Sequence, residues 1–329
     1  MASYNRSFLY TKQFLYQFLI GARAMSKIQF SVIIPLYNKS GCIERALTSV
    51  MAQKHPAAEI IVVDDGSTDD SVDKVRALNL DNLKLIQQPN QGVSSARNNG
   101  VRQASSRYIA FLDADDTWSP FFLAKIAQLI QRFPNAGLYA SRYQKVRGEC
   151  DYLDAKIALT HWNPDGYQMD NYFEIAANGD LPFTASSIVL DKQTFLQVGG
   201  FPEGEWMGED QSLYVQVALN STIAYTPAIE SFYYIGIADS ACDKAPPSTI
   251  CPFAERLMTE ISLGKVADRT ASMAKKYIGA HLCDLAKRNI KHRSYRAALG
   301  LLAHPAAKSR ALHWGLYSLI AKPMSLLSR

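Results

Sequence analysis

The sequence predicts an α/β fold built on an open, doubly wound sheet, and three observations support this prediction. Short β-branched runs alternate with helical segments from Phe30 onward. A complete strand, helix and strand unit is recognisable between Phe30 and Asp64. The 329 residues are 48% hydrophobic and 20% charged, which is typical of globular proteins and excludes disordered or collagen-like chains.

The first unit begins with a strand at Phe30–Pro35 and ends with a strand at Glu59–Asp64, both continuously apolar enough to be buried on two faces. The helix between them is predicted from apolar residues spaced three or four apart, namely Ile43, Ala46, Leu47, Val50 and Met51. A third strand is expected at Leu83–Gln87 and a fourth at Tyr108–Leu112, with a helix from about Val93 between them.

A further helix is predicted after the fourth strand, with Ser119 as its N-cap and Pro120 as its first residue. After this helix the alternation of strands and helices is less regular, and the clearest later strand is predicted at Thr184–Leu190. Helices are expected over Gln193–Val198 and Asp210–Leu219. After the break at Pro246 and Pro247, successive helices are expected over 253–303 and 311–327.

Charge is divided unevenly along the chain. From Lys265 to Arg329 there are 13 basic and two acidic residues, a net charge of +11. The preceding 264 residues hold 22 basic and 28 acidic residues, a net charge of −6. This tail, with Trp314, Tyr317, Leu319 and Leu326, predicts helices in peripheral contact with an anionic membrane, against the alternatives of a solvated extension or an oligomer contact. It has no nucleic-acid recognition motif, so no nucleic-acid partner is expected.

The cysteines and the lengths of the apolar stretches predict a cytoplasmic location. Five widely spread cysteines without a C-x-x-C pair support neither a disulfide framework nor a zinc ribbon. No stretch reaches the ~18–20 uninterrupted apolar residues that span a bilayer. Residues 1–27 are expected to be an N-terminal extension of the fold, in which Met25 is the biological start or, alternatively, the segment is an amphipathic helix that touches a membrane. We therefore expect a cytoplasmic protein, peripheral on the inner face of the cytoplasmic membrane.

Polar residues follow three of the predicted strands, where ligands bind in open parallel sheets. Asp113, Asp115 and Asp116 either hold a hard divalent cation or form a solvated acidic turn. The pair Asp64 and Asp65 precedes a turn, and one of these acids can accept hydrogen bonds from a base or ribose.

Polar residues near two predicted helix starts are also candidates. Arg97 is either a ligand-facing cation or a surface residue. Glu209 and Asp210 are helix N-terminal acids, or one of them is a general base beside the aromatic Trp206.

Five segments together resemble the family 2 glycosyltransferases of the GT-A fold. They are FSVIIPLYNK (30–39), IIVVDDGSTD (60–69), QGVSSARNNG (91–100), YIAFLDADDTW (108–118), and GGFP (199–202) with Glu209 and Asp210. The resemblance covers about residues 28–230. It implies a Rossmann-like, doubly wound mixed sheet in a GT-A domain over 28–255, followed by a basic helical region over 256–329.

The resemblance also implies site roles. Pro35, Tyr37 and Asn38 would line the nucleotide pocket, Asp65 or Asp64 would contact the base, and Arg97 would face the nucleotide. Asp113 and Asp115 match the family's Asp-x-Asp motif, with Asp115 or its rival Asp116 on Mn²⁺ or Mg²⁺. Asp210 matches the catalytic base, with Glu209 and Trp206 beside the substrate.

These roles imply inverting transfer of one sugar from a nucleotide-sugar, with UDP favoured, to a saccharide or lipid-linked saccharide in bacterial cell-surface polysaccharide or lipopolysaccharide synthesis. The Gln-x-x-Arg-Trp signature of processive polymerases is missing. The alternatives are a sugar transferase acting on polyprenyl phosphate and a non-catalytic nucleotide-sugar-binding protein. A Gly-x-Gly-x-x-Gly motif after the first strand and a Gly-x-Ser-x-Gly elbow are absent, which argues against redox enzymes and hydrolases.

Overall fold

A computed structural model describes residues 28–237 and 245–327 of the chain. The expectations for residues 1–27 lie outside these described ranges. Within them, the strands are β1 (Phe30–Leu36), β2 (Glu59–Asp64), β3 (Leu83–Gln87), β4 (Tyr108–Phe111), β5 (Thr117–Trp118), β6 (Leu138–Arg147), β7 (Asp151–Asp154), β8 (Tyr167–Met169), β9 (Ile188–Asp191) and β10 (Ile223–Ile235).

The helices of the described ranges lie between the strands or follow them. They are α1 (Ile43–Met51), α2 (Ser71–Ala77), α3 (Val93–Gln103), α4 (Phe122–Arg132), α5 (Tyr172–Asn178), α6 (Lys192–Gln197), α7 (Glu209–Asn220), α8 (Pro252–Ser262), α9 (Asp268–Lys291), α10 (Tyr295–Ala303) and α11 (Ala311–Leu327). Short 3-10 turns cover Ala185–Ser187 and Pro305–Arg310.

All described strands belong to one mixed sheet with the order β3-β2-β1-β4-β9-β6-β10-β5, while β7 pairs with β6 and β8 pairs with β10. β1 is parallel to both β2 and β4, as the sequence predicts for a doubly wound sheet. β9 is antiparallel to β4 and β6, and this reversal makes the sheet mixed. The predicted α/β architecture with a mixed sheet is therefore confirmed.

Alternating residues of the central strands enter two apolar layers. Val32 and Ile34 of β1 pack with α1 and α4, whereas Ile33 packs with α3 on the other face. The approach of α3 to β1 is close enough that a Cβ on Gly100 would lie 2.4 Å from Cγ2 of Ile33. Only glycine permits this spacing.

The helices after residue 251 pack on the α3 face of the sheet. Tyr277 and Leu282 of α9 share one apolar cluster with Phe183 and Tyr214, which precede the predicted boundary at residue 255. The division into domains 28–255 and 256–329 stays a prediction, and the helices beyond the boundary extend the core of the sheet domain.

Several local expectations differ from the structure. α4 begins at Phe122 and not at Pro120, and the Ser119 hydroxyl accepts the N–H of Phe121 and donates to Glu230 of β10. The strand expected over 184–190 is a 3-10 turn followed by β9. The sequence pattern did not predict β5–β8, β10 or α5, since these are short, irregular or half-polar segments.

Candidate active site

The loop after β1 is joined to the loop after β2 by hydrogen bonds. Asn38 has a positive φ of 49°, donates its N–H to the Ser67 hydroxyl at 3.0 Å and accepts the N–H of Thr68 at 2.8 Å. The adjacent Tyr37 ring is 47% exposed, whereas Pro35 is buried within β1. Tyr37, which the sequence analysis places in the nucleotide pocket, is thus exposed to solvent at the carboxyl edge of the sheet.

Asp64 and Asp65 are both buried, and their carboxylates hold neighbouring loops together. Asp64 accepts the N–H of Ser67 at 3.0 Å. Asp65 accepts the backbone N–H groups of Gln91 at 2.9 Å and Gly92 at 2.7 Å. These bonds position the start of α3 beside the site. The predicted contact of either acid with a base stays a prediction.

The three acids after β4 have different surroundings. Asp116 is fully buried and accepts hydrogen bonds from the Ser186 hydroxyl and from the N–H of Tyr234. Burial holds the pKa of Asp116 well above its usual range, and the carboxylates of Asp115 and Asp113 add to this rise. Asp116 is thus committed to the protein interior, whereas the carboxylates of Asp113 and Asp115 are partly exposed.

A cation lies against each of the two partly exposed acids. The Lys39 ammonium is 2.9 Å from Asp115, and Arg45 donates to the backbone carbonyl of Asp115 at 2.7 Å. Arg97 donates to Asp113 at 2.7 Å. The like charges of the acidic loop are therefore balanced by side chains from the β1 loop, α1 and α3.

Arg97 also connects the acidic loop to α7. Its guanidinium is only 3% exposed, lies 3.4 Å from a Glu209 carboxylate oxygen, and sits over the Phe201 ring at 4.9 Å. Although burial opposes protonation, the carboxylates of Asp113 and Glu209 raise the pKa of Arg97. The structure thus brings together three residues that the sequence analysis singled out separately.

Glu209 and Asp210 open α7 immediately after Gly208. Gly208 has a φ of +83°, and a Cβ there would lie 2.7 Å from the Phe253 ring, so only glycine fits. Burial raises the pKa of Glu209 to about 7, with the Asp210 carboxylate adding to the rise and Arg97 opposing it. Burial also raises the pKa of Asp210, against the hydrogen bond that it accepts from the N–H of Gln211. The Trp206 ring in the preceding loop is 50% exposed.

Sequence reasoning missed several residues that support this site. The Ser186 hydroxyl accepts the N–H of Asp113 at 3.1 Å and donates to Asp116. The Ser186 backbone carbonyl accepts the indole N–H of Trp118 at 2.6 Å. Four buried tyrosines lie near Asp210: Tyr143, Tyr172, Tyr214 and Tyr277. Burial raises the pKa of each tyrosine, and the nearby Asp210 carboxylate raises it further. No local pattern marks these residues, because their partners are distant in the chain.

The described residues contain no group of three or more His, Cys, Asp or Glu side chains arranged to hold a metal ion by themselves. Mg²⁺ and Mn²⁺ are bound by hard oxygen ligands, and in phosphate sites one or two carboxylates suffice with the substrate phosphates. The partly exposed carboxylates of Asp113 and Asp115 fit this requirement, and Asp116 is less available because both of its oxygens accept protein hydrogen bonds. The Lys39 ammonium is paired with the Asp115 carboxylate in the structure.

Residues 31–185 match the family model described as Glycosyl transferase family 2. This match, over a little under half of the chain, identifies a glycosyl transferase family 2 segment. The matched range includes the β1 loop, the β2 acids, Arg97 and the acidic loop. Glu209 and Asp210 lie after its end.

Curated relatives match over part of the chain. An uncharacterized glycosyltransferase of Rickettsia felis is 33% identical over 197 residues, which is 59% of this chain and 31% of that protein. The succinoglycan biosynthesis protein ExoW of Rhizobium meliloti is 37% identical over 119 residues, which is 34% of this chain and 37% of ExoW. The chain spans about a third of the length of the curated relatives that it matches.

The predicted GT-A-like fold is confirmed by its likeness to solved glycosyltransferase structures, and this likeness extends into the C-terminal helices. Residues 1–349 of S. aureus TarS, in complex with UDP-GlcNAc, superpose with a TM-score of 0.64 at 17% identity, covering 90% of this chain and 91% of that one. The mannosyltransferase PcManGT of Pyrobaculum calidifontis, in complex with GDP-Man and Mn²⁺, has a TM-score of 0.54 at 17% identity, covering 96% of this chain and 95% of that one. In the described ranges of the present chain, the helices are too short or too polar to cross a membrane.

Proposed function

We propose that the chain transfers a single sugar from a nucleotide-sugar, favoured to be a UDP-sugar, to a hydroxyl of a saccharide or lipid-linked saccharide. The destination is a bacterial cell-surface polysaccharide, such as a lipopolysaccharide. The observation that carries the proposal is the pair of salt bridges from Arg97 to Asp113 and to Glu209. These salt bridges connect the acidic loop after β4 to the first turn of α7. In this proposal residues 28–255 perform the transfer and residues 256–329 are a basic helical region.

The names of the similar proteins support the choice of substrates. TarS is solved with UDP-GlcNAc, and ExoW is named for succinoglycan biosynthesis. PcManGT is solved with both a nucleotide-sugar and Mn²⁺, which supports a divalent cation in the present chain. None of these names specifies which sugar this chain transfers.

On the donor side, Tyr37, Asn38 and either Asp65 or Asp64 would bind the nucleoside, and Arg97 would face the nucleotide. Asp115, with Asp113, would hold Mn²⁺ or Mg²⁺. When bound, such a cation supplies positive charge that stabilises the diphosphate leaving group. Lys39 pairs with Asp115 and would have to release this carboxylate for the cation to bind.

On the acceptor side, Asp210 would take the proton of the attacking hydroxyl, and Trp206 and Glu209 would border the sugar. Burial raises the pKa of Asp210, which makes the carboxylate a better base. A single displacement from the face opposite the diphosphate inverts the anomeric configuration. A second carboxylate nucleophile, as in retaining hydrolases, is then unnecessary.

The experiment that tests the proposal measures donor hydrolysis and transfer with UDP-, GDP- and dTDP-sugars, in Mn²⁺ and in EDTA. We expect one donor to give a metal-dependent signal that Asp115→Ala abolishes. Asp210→Asn should retain donor binding while transfer to a hydroxyl acceptor falls by about 10²–10⁴-fold. The anomeric configuration of the product, measured by NMR, should be inverted.

Asp81→Asn is the matched control, since Asp81 is an exposed acid in the turn before β3. It should leave donor binding and transfer unchanged. Failure of every donor to bind the folded protein would contradict the proposal. Transfer to polyprenyl phosphate that survives Asp210→Asn would favour the alternative acceptor, because a phosphate oxygen needs no base.

A further inference from the structure

The outer side of α11 is apolar and faces solvent. Leu312 is 87% exposed, Leu319 is 75% exposed and Leu326 is 69% exposed. Leu316 and Ile320 are 55% and 40% exposed. We name these five residues the outer α11 face. At 100° per residue they fall on one side of the helix, because their spacing follows the three- and four-residue repeat of an α-helix.

The opposite side of α11 attaches the helix to the protein. Ala321 and Ser318 are buried, and the Trp314 indole donates to the carbonyl of Leu302 at 2.8 Å. Trp314 and Tyr317 also pack against the core from this side, so α11 carries apolar side chains on two sides and the core covers one of them. A contiguous apolar surface of this kind marks a binding face.

The charges around the outer α11 face select the kind of partner. Lys322 and Lys308 are exposed on and before the helix, and the segment from Lys265 to Arg329 carries 13 basic residues against two acidic ones. A second copy of the chain would bring the same positive charge to the contact and be repelled. A surface that combines negative charge with an apolar layer complements both features.

We infer that the outer α11 face docks on the surface of an anionic lipid bilayer, with the helix lying in the plane of the headgroups. The exposed leucines would enter the acyl boundary, while the lysines contact lipid phosphates. This inference goes beyond the proposed transferase function and does not depend on it. It is compatible with the finding that no helix in the described part of the chain can span a membrane.

The test uses co-sedimentation of the full chain with lipid vesicles. One set contains phosphatidylcholine alone, and the other contains roughly one part phosphatidylglycerol to three parts phosphatidylcholine. We expect binding to the anionic vesicles that weakens as salt is raised. The double variant Leu312→Glu/Leu319→Glu should partition at least ~10-fold more weakly, since it places charges in the acyl boundary.

The matched control is Leu196→Glu/Leu263→Glu. Its leucines are 58% and 62% exposed and lie outside α11. The control should bind anionic vesicles like the wild type, and circular dichroism should show that both variants are folded. Donor hydrolysis without vesicles should be the same in both variants, so failure of docking is distinguishable from failure of the proposed transferase function.

Three results would overturn the inference. The wild type could fail to bind anionic vesicles, or it could bind both vesicle types equally. The Leu312→Glu/Leu319→Glu variant could bind as tightly as the control. A dimer in light scattering that this variant abolishes, without vesicle binding by the wild type, would instead assign the outer α11 face to contact between copies.

Discussion

The Lys39 ammonium lies 2.9 Å from the carboxylate of Asp115, so the acid proposed to hold the metal is already paired with a cation from the β1 loop. The two side chains are 15% and 20% exposed, and the pair is therefore only weakly screened by solvent. Lys39 neutralises an acidic loop that would otherwise repel itself, and it competes with any divalent cation for Asp115.

Replacement of Lys39 by Met should strengthen divalent cation binding. Removing a positive charge in contact with the ligand carboxylate should lower the dissociation constant for Mn²⁺ by at least ~10-fold in the absence of donor. Isothermal titration calorimetry with MnCl₂ measures this directly. Lys84→Met, which removes an exposed lysine bonded to Gln103, is the control. Equal Mn²⁺ affinity in Lys39→Met and the wild type would rule out Asp115 as the competing ligand.

Replacement of Arg97 by Met should strongly destabilise the protein. The substitution leaves the carboxylates of Asp113 and Glu209 without their shared cation in a buried site, at a cost of about 3–5 kcal/mol in the free energy of unfolding. Urea unfolding measures the change. Arg102→Met in the same helix should cost less than ~1 kcal/mol, because its contact with Glu203 is long and exposed. Comparable losses in the two variants would show that the bridge contributes no special stability.

The stability of the protein should fall as the pH rises between about 4 and 7. Burial raises the pKa of Glu209 to about 7, above the value of about 4.3 that an unfolded chain has. Across this interval the folded state therefore holds a proton on Glu209 that the unfolded state has lost. The stability that this proton contributes disappears as Glu209 ionises in the folded protein. Urea unfolding of wild type and Glu209→Gln at pH 5 and pH 8 tests the effect.

Glu209→Gln should lose less stability than the wild type between pH 5 and pH 8, because its amide does not ionise. Burial of Asp116 and Asp210 acts in the same direction, so a smaller pH dependence should persist in the variant. Identical pH dependence in the two proteins would mean that Glu209 does not titrate in this interval.

Replacement of Ser186 by Ala should destabilise the acidic loop. The hydroxyl accepts the half-buried N–H of Asp113 and donates to the buried Asp116 carboxylate, so its loss removes one hydrogen bond from each group at a cost of about 1–3 kcal/mol. Ser262→Ala, which removes an exposed hydroxyl bonded within its own helix, should change stability by less than ~0.5 kcal/mol. Thermal unfolding of the two variants is the measurement, and an unchanged midpoint for Ser186→Ala would contradict this role.

The central strands and their polar ends are predictable from local pattern alone. The apolar runs of β1 and β2, and the helical spacing between them, dictate a parallel unit, because each run can bury both faces only inside a layered sheet. Since ligands bind at the carboxyl ends of parallel strands, the same pattern assigns Asp64 and Asp113 to one edge of the sheet. Motif spacing likewise singles out Arg97, Glu209 and Asp210.

The partners of these residues depend on tertiary structure. Arg97 and Glu209 are 112 residues apart in sequence, and Ser186 and Asp116 are 70 apart. β6 and β10 pair in parallel although most of the chain between them is irregular or belongs to other strands. Local periodicity encodes which face of an element is apolar, but it does not encode which distant element covers that face. The burial of Asp116, the pairing of Lys39 with Asp115 and the exposure of the outer α11 face are therefore decided only when the sheet and its helices assemble.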